Sequence, residues 1–203
     1  MNRKWLVGGV AAFLALAAVL SLVVGGVIGR SIVPSPAETQ PPAAETSEPP
    51  RSVRFKDTLT DVSIEYPGTW VRRMPEDQAV RVVAGSPDGA AAVSVSVRKS
   101  DLETVTPGTL AIVRPLTDDL LREDDRIGTL PEPEAVISDG LPGYRYTYTY
   151  RDDDGGQGAH IHYFLFKADR LIQIVLQAVP ATKLAELQPT FDEVAGSFRK
   201  GAG

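Results

Sequence analysis

The amino-acid sequence predicts an α+β domain, in which helices pack on an antiparallel sheet of about six strands, preceded by one transmembrane helix. Residues 5–29 carry no charge over a length that suffices to cross a bilayer. After residue 52, several runs alternate apolar and polar residues with the period of two that is typical of strands. Two stretches, near residues 106–120 and 182–196, favour helices instead.

The first thirty residues are predicted to form a membrane anchor. An α-helix rises about 1.5 Å per residue, so about 20 residues cross a hydrocarbon core of about 30 Å. A cleaved signal peptide is the alternative, because Arg3 and Lys4 form a basic start and residues 15–17 (Ala-Leu-Ala) imitate a cleavage site. The apolar run continues to Ile28, which is too long for the core of a signal peptide, so a retained anchor is favoured.

The distribution of basic residues predicts how the chain crosses the membrane. Arg3 and Lys4 precede the apolar stretch, and only Arg30 follows it before an acidic segment. Basic residues stay preferentially on the cytoplasmic side. We therefore expect a single-pass protein of the cell membrane with a cytoplasmic N-terminus and an extracytoplasmic domain.

Residues 31–52 are predicted to be a disordered stalk. They contain six prolines among alanine, serine, threonine and glutamate, without apolar periodicity. Proline-rich segments favour extended conformations of about 3.1 Å per residue, which would hold a domain away from the bilayer. The folded domain is then expected over residues 53–200.

Composition excludes several functional classes. The formal net charge of the chain is -5, so we expect no nucleic-acid partner. The sequence contains no cysteine, which excludes disulfides, thiol catalysis and thiolate metal sites. Neither a phosphate-binding glycine loop nor a Gly-x-Ser-x-Gly elbow occurs, so we expect neither an enzyme nor a bound cofactor.

The first predicted strands lie between residues 62 and 97. Val62, Ile64 and Tyr66 alternate with polar residues, and Pro67-Gly68 ends the run. Residues 80–82 and 93–97 repeat this half-buried pattern. Residues 86–89 (Ser-Pro-Asp-Gly) have the composition of a tight turn, which predicts a hairpin between these two runs.

A helix is predicted to begin at Thr106-Pro107, because threonine caps helices and proline is tolerated in the first turn. Its shared apolar face would consist of Leu110, Val113, Leu116 and Leu120. Pro115 would kink this helix or start a second one. The acidic side chains between residues 118 and 125 are interpreted as its solvated face rather than as a pair of catalytic carboxylates.

Three long strands follow one another in the second half. Residues 144–150 alternate tyrosine with other residues, and residues 161–166 and 171–179 form the next two strands. The short turns between them require an antiparallel meander. A last helix is predicted over residues 182–196, with an internal break at Pro189.

Two motifs resemble a known family. Residues 57–70 (Asp-Thr-Leu-Thr-Asp-Val-Ser-Ile-Glu-Tyr-Pro-Gly-Thr-Trp) resemble the opening strand and Tyr-Pro-x-x-Trp turn of PsbP-like domains, a group that includes the PsbP subunit of photosystem II and mycobacterial LpqN lipoproteins. Residues 141–144 (Leu-Pro-Gly-Tyr) and 196–199 (Gly-Ser-Phe-Arg) are similar to that group's closing pattern. The resemblance covers about residues 53–200.

This resemblance implies an α/β/α sandwich and a role in binding or assembly rather than catalysis. LpqN-type proteins attach through a lipidated cysteine, which this sequence lacks. The apolar helix would therefore have to serve as the anchor.

The sequence offers two candidate sites. The first is a row of tyrosines on one face of a strand, which could pack beneath a helix or line a ligand groove: Tyr144, Tyr146, Tyr148 and Tyr150. The second is His160 and His162, which point the same way and could offer two imidazoles to a metal. The acidic residues 152–154 lie across the turn, although such a cluster also suits a tight turn.

Together these features favour a non-catalytic, membrane-anchored binding or assembly module of the cell envelope, with an envelope protein as its partner. One alternative is a small-molecule or lipid carrier with a pocket between sheet and helix. A metal-dependent hydrolase that uses His160 and His162 is a further alternative.

Overall fold

The computed structural model describes residues 51–152 and 154–201. The predicted anchor and all but the last two residues of the predicted stalk lie outside the described residues. Within the part of the chain that the structure describes, no helix is both long and apolar enough to cross a membrane. The first strand begins at Ser52, the last residue of the predicted stalk.

The described chain contains nine strands and two α-helices. The strands are β1 (Ser52–Asp57), β2 (Val62–Pro67), β3 (Val71–Arg73), β4 (Val80–Gly85), β5 (Ala91–Lys99), β6 (Glu134–Ser138), β7 (Leu141–Arg151), β8 (Gln157–Lys167) and β9 (Arg170–Ala178). The helices are α1 (Leu110–Arg122) and α2 (Leu184–Gly196), and a turn of 3-10 helix (Ala181–Lys183) leads into α2.

Seven strands form one antiparallel sheet in the order β3-β4-β5-β9-β8-β7-β6. The predicted β4–β5 hairpin and the β7–β8–β9 meander are confirmed. The prediction of about six strands was incomplete. The short edge strands β3 and β6 have little apolar alternation, and β2 pairs with β1 in a separate two-stranded sheet rather than joining the main one.

One face of the main sheet is covered by the β1–β2 hairpin and α2, and we call it the α2 face. Phe191 and Val194 of α2 pack there against apolar side chains from β5, β8 and β9. Backbone hydrogen bonds of 2.8 Å join Ser63 and Arg199 in both directions and tie the end of the chain to β2. Helix α2 runs through Pro189 without the predicted break, because tertiary packing outweighs the single hydrogen bond that proline removes.

The opposite face is covered by α1, which packs over β7, and we call it the α1 face. The helix begins at Leu110 rather than at Pro107. Its buried residues are Leu110, Val113, Thr117 and Leu121. Leu120 packs against the same apolar cluster, as predicted. The prediction of Leu116 was wrong, because the Thr117 hydroxyl is drawn inward by the Tyr146 hydroxyl at 2.6 Å and the carbonyl of Arg114 at 2.9 Å.

Candidate functional site

A cleft of about 70 Å³ opens on the α1 face. Side chains from β4, β5, β7, β8 and β9 form its floor, and the C-terminal half of α1 with the segment after it forms its wall. That segment is fastened to the end of β7, because Ile127 bridges to Tyr150 and the backbone N–H of Arg151 donates to the carbonyl of Arg126 at 3.0 Å. The chain thereby places Asp124 and Arg126 at the cleft.

The strand register gathers polar side chains on the floor. Tyr148 of β7 lies opposite His160 of β8, which lies opposite Gln177 of β9. Gln173 lies four residues from Gln177 along β9, past Val175, and pairs with Ser96 of β5 on the other side of β9. Because side chains of a strand alternate between faces, these residues and His162 all point toward α1.

A continuous hydrogen-bond network connects these groups. The Tyr148 hydroxyl lies 3.1 Å from Nδ1 of His162 and 3.2 Å from Nδ1 of His160. The far nitrogens contact glutamine amides: Nε2 of His160 lies 3.3 Å from Oε1 of Gln177, and Nε2 of His162 lies 3.0 Å from Oε1 of Gln173. The chain of contacts therefore runs Gln177, His160, Tyr148, His162, Gln173.

Burial keeps both histidines uncharged at neutral pH. Desolvation lowers the pKa of His160 to about 4, although its contact with Gln177 opposes the shift. Desolvation together with the neighbouring His160 lowers the pKa of His162 to about 3. Burial also raises the pKa of the Tyr148 hydroxyl far above its usual value, so that this group keeps its proton.

Ser96 stands out on the floor because its hydroxyl is buried without a hydrogen-bond partner among the described residues. The side chain is 5% exposed and lines the cleft. A buried polar atom without a partner costs on the order of 1–3 kcal/mol, and such atoms are rare in folded proteins. The Ser96 hydroxyl therefore leaves an unsatisfied hydrogen-bonding group on this part of the floor.

The charged groups at the cleft are paired. Arg98 donates to Asp77 at 2.6 Å, and Arg126 donates to Asp124 at 2.9 Å through both Nε and Nη2. Burial alone would raise the pKa of Asp124, but the hydrogen bonds and charge of Arg126 outweigh it and hold that pKa below its usual value. Each cation thus has its anion within the protein.

Apart from Ser94, the remaining lining of the cleft is apolar. It comes from the helix and the segment after it on one side, and from the sheet on the other: Leu120, Leu121, Ile127, Val80, Phe164 and Val175. The cleft therefore combines a polar floor with apolar walls, which is the usual composition of a small-molecule site.

The four predicted tyrosines are all buried and share the face that α1 covers. Tyr144 and Tyr146 lie in the apolar cluster with Leu110 and Val113 of α1. Tyr148 belongs to the same cluster and also lines the cleft, whereas Tyr150 stacks on His160 with ring centroids 4.2 Å apart. The row is thus divided between core packing and the cleft, and ligand binding by the tyrosines stays a prediction.

His160 and His162 do lie side by side in the cleft, as their spacing predicts. All four ring nitrogens face Tyr148 or a glutamine, and a metal would have to replace one of these contacts at each ring. Among the described residues, no group of three or more histidine, aspartate or glutamate side chains is placed to hold a metal. Asp152 instead accepts a hydrogen bond from the backbone N–H of Gly156 at 2.6 Å within the β7–β8 turn. Metal binding by the two histidines stays a prediction.

Sequence reasoning missed Ser96, Gln173 and Gln177 as site residues. The alternation in β5 predicts a half-buried strand, but the structure buries Ser94 and Ser96 as well. A signal was present in β9, where Leu-Ile-Gln-Ile-Val-Leu-Gln-Ala is almost continuously apolar. Such a run is typical of a strand that is buried on both faces, and glutamines within it are therefore buried polar groups.

The interpretation of the acidic segment 118–125 as solvated was wrong for two residues. Asp118 accepts a hydrogen bond of 2.7 Å from the Tyr146 hydroxyl and lies largely buried between α1 and the sheet. Asp124 lines the cleft. Burial raises the pKa of the Tyr146 hydroxyl, which therefore remains a donor to Asp118.

No protein-family model matches this sequence, and no curated protein matches it. The fold does match solved structures. The solution structure of cyanobacterial PsbP (CyanoP) from Synechocystis sp. PCC 6803 aligns with a TM-score of 0.55 and 20% identity, covering 77% of this chain and 96% of that one. This similarity shows that the chain has a PsbP-like fold, as the sequence motifs implied.

Two further structures are more distant. LpqN of Mycobacterium tuberculosis, described as involved in cell envelope biogenesis, aligns with a TM-score of 0.45 and 10% identity over 76% of this chain and 86% of that one. The Ran-binding protein Mog1p of Saccharomyces cerevisiae aligns with a TM-score of 0.47 and 11% identity over 73% of this chain and 94% of that one. At these TM-scores neither similarity supports an argument about function.

Proposed function

We propose that this protein is a membrane-anchored, extracytoplasmic binding or assembly module that acts without catalysis. The observation that carries the proposal is the cleft on the α1 face, whose floor holds the unpartnered Ser96 hydroxyl beside buried amide and imidazole groups. Stability alone would favour apolar side chains at these positions, since buried polar groups are costly unless they are satisfied. A partner that satisfies them would recover that cost on binding.

The protonation states of the cleft fit binding better than acid–base chemistry. A general base is most effective when its pKa lies near the working pH. Desolvation lowers the pKa of His160 to about 4 and that of His162 to about 3, so both are weak bases at neutral pH. Their contacts with Tyr148 and the glutamines hold the rings in place, as expected of a recognition surface.

Membrane anchoring supplies the second half of the proposal. The uncharged residues 5–29 would hold the chain in the membrane, with the N-terminus in the cytoplasm. The proline-rich stalk would keep the domain within reach of the bilayer surface, which raises its effective concentration toward other envelope proteins.

Photo-crosslinking in intact cells tests the binding role of the cleft. A benzoylphenylalanine replaces Leu120 at the cleft wall in one variant and the exposed Glu186 of α2 in a matched control. We expect discrete adducts from position 120 and none of the same size from position 186. Equal adducts from both positions, or none from either, would show that the cleft is not the binding surface.

Protease treatment of intact cells tests the topology separately. We expect added protease to remove the domain while cytoplasmic proteins stay intact. A domain that survives digestion beside a degraded surface control, or a mature protein found free in the medium, would refute the anchored arrangement.

A small-molecule carrier is the second candidate, because the cleft combines apolar walls with a polar floor. Sites for drug-sized ligands measure about 300–1,000 Å³. A cleft of about 70 Å³ is too small for a lipid chain but can admit a small molecule. Native mass spectrometry of the purified protein would reveal a retained ligand, and its absence over a range of mild preparations would count against the carrier.

A further inference from the structure

We propose that the cleft receives a small uncharged group that both donates and accepts hydrogen bonds, such as a carboxamide, with a short apolar portion behind it. This inference rests on the proposed binding role of the cleft and specifies the chemistry of what enters it. The group could belong to a free small amide or to an asparagine or glutamine side chain of a partner protein, which present the same atoms.

The size of the cleft limits the entering group to a few heavy atoms. A water molecule needs about 10–15 Å³ in the same measure, and an engineered cavity of about 150 Å³ holds benzene. The cleft offers about 70 Å³. The apolar side chains of Leu120, Ile127 and Val175 leave room for about two or three carbons beside the polar floor.

The pairing of charges in the cleft disfavours an ionic group. Arg98 is held by Asp77, and Arg126 is held by Asp124. His160 and His162 are neutral at physiological pH because burial lowers the pKa of each. An incoming carboxylate or ammonium would lose its hydration without gaining a new counter-charge, which is costly in a buried site.

A count of protons shows that the floor presents a donor and an acceptor at once. The Tyr148 hydroxyl has one proton and therefore donates to Nδ1 of only one histidine. The other histidine must donate its own Nδ1–H to the Tyr148 oxygen. A neutral imidazole has a single N–H, so the two histidines adopt opposite tautomers.

In the structure, Oε1 of both glutamines faces the imidazole Nε2. The opposite tautomers require opposite orientations of the two amides, so one of them must be turned by 180°, which exchanges its oxygen and nitrogen. The histidine with a protonated Nε2 donates to its glutamine oxygen, which leaves that amide nitrogen available to the cleft. The histidine with a bare Nε2 accepts from its glutamine nitrogen, which leaves that amide oxygen available. Whichever way the protons are distributed, one glutamine then offers its amide nitrogen to the cleft and the other offers its amide oxygen.

Ser96 completes the arrangement next to Gln173. The two residues are direct cross-strand partners, and the Ser96 hydroxyl can donate or accept. A group that can only donate, or only accept, hydrogen bonds can satisfy Ser96 and Gln173 in just one of their hydrogen-bonding arrangements. A carboxamide matches both, because it carries an oxygen and an N–H in one plane.

A titration with three matched probes tests the proposal. Propionamide is neutral and both donates and accepts, propionate only accepts, and propylammonium only donates. Each is added to ¹⁵N-labelled full-length protein in detergent micelles while the side-chain NH₂ signals of Gln173 and Gln177 are followed by NMR. We expect propionamide to shift these signals with a Kd in the millimolar range, as suits about five heavy atoms, and the charged probes to bind at least about tenfold more weakly.

Two substitutions localise the binding. Ser96→Ala removes the unpartnered hydroxyl and should weaken propionamide binding about fivefold, with the rest of the spectrum unchanged. Thr149→Ala, at an exposed position of β7, is the matched control and should leave the Kd unaltered. Propionate or propylammonium binding as tightly as propionamide, or glutamine signals that do not respond to propionamide, would overturn the proposal.

Repeating the photo-crosslinking on isolated membranes with propionamide present separates the two sources of the group. Loss of the position-120 adduct would assign the carboxamide to a partner side chain, and a persistent adduct with a positive titration would assign it to a free ligand. Adducts from position 120 alone, combined with a negative titration, would overturn the ligand chemistry but leave the proposed function standing. Absence of the adducts would refute the proposed function itself.

Discussion

The two faces of the main sheet are built from the same strands but have opposite chemistry. On the α2 face, Val93 and Val95 of β5 meet Ile172 and Ile174 of β9 in an apolar core. On the α1 face, the intervening positions carry Ser94, Ser96, Gln173 and Gln177, which are buried as well. The α2 face therefore supplies stability through apolar burial, whereas the α1 face places polar groups in a low-dielectric environment where they can recognise a ligand.

Burial alone therefore does not identify the structural core of this protein. Both faces exclude water, but on the α1 face the buried side chains at the cleft are largely polar, and the Ser96 hydroxyl among them has no hydrogen-bond partner within the described residues. Four experiments test this difference between the two faces.

The largest effect is expected from Phe191→Ala on the α2 face. The Phe191 side chain is 0% exposed and central to the apolar cluster, so truncation should lower the free energy of unfolding by about 3–5 kcal/mol. Ile112→Ala on α1 is the control, because Ile112 is 76% exposed and its loss should change stability by less than about 0.5 kcal/mol. Denaturant unfolding measures both. A loss below about 1 kcal/mol for Phe191→Ala would contradict the assignment of the core.

Acid should destabilise the protein through the α1 face. The pKa of each histidine in the folded state lies below the value of about 6.5 in the unfolded chain, so the unfolded state binds more protons as the pH falls. The contribution of the histidines to the free energy of unfolding is therefore fully present above about pH 6.5 and is lost as the pH falls toward 4. Protonation of both histidines in the unfolded state should lower the free energy of unfolding by about 3–4 kcal/mol between pH 7 and pH 5.

The pH dependence can be assigned by comparison with a variant. His162→Leu should reduce the slope of unfolding free energy against pH by up to about 1.4 kcal/mol per unit between pH 6 and pH 4. Carboxylates also titrate toward the acid end, and they contribute equally to both proteins. Parallel slopes for the variant and the original protein would show that His162 does not titrate as its burial requires.

An intermediate effect is expected where α1 is held to the sheet. Tyr146→Phe removes the hydroxyl that contacts Thr117 and Asp118 at 2.6 and 2.7 Å. Because Asp118 loses a buried donor, the free energy of unfolding should fall by about 1–2 kcal/mol. Thr117→Val in a double-mutant cycle separates the two contacts. Additive losses in that cycle would show that Tyr146 and Thr117 do not interact.

The smallest effect is expected for Ser96→Ala on the α1 face. The Ser96 hydroxyl has no hydrogen-bond partner among the described residues, so its removal should cost no stability and should raise the free energy of unfolding by about 1 kcal/mol. Its neighbour Val95 points to the α2 face and is 1% exposed, so Val95→Ala should cost about 1–3 kcal/mol. If both substitutions cost the same, the two faces do not differ as proposed.

Most of the fold was predictable because local patterns report directly on local structure. The alternation in β2, β4 and β5, the tyrosine row in β7 and the short turns between β7, β8 and β9 correctly predicted these strands and their antiparallel meander. The short edge strands β3 and β6 were missed, since their backbones pair with a neighbouring strand while their side chains show little apolar alternation.

The candidate site was only partly predictable. The positions of His160, His162 and Tyr148 on one face follow from the period of a strand and its register. Gln173 and Gln177 join them through the short β8–β9 turn. Ser96 joins them only because β9 lies between β8 and β5, and it is far from the others in the sequence. No local pattern reports on that neighbourhood.

Local sequence patterns predict most of the strands and both helices, because φ/ψ preferences and side-chain periods act over a few residues. The burial of the polar face of β5, the placement of Thr117 rather than Leu116 against the sheet, and the sharing of one tyrosine hydroxyl by two histidines are set by long-range packing. These outcomes depend on which elements become neighbours, and that choice is made by the packing of the whole chain around both faces of the sheet.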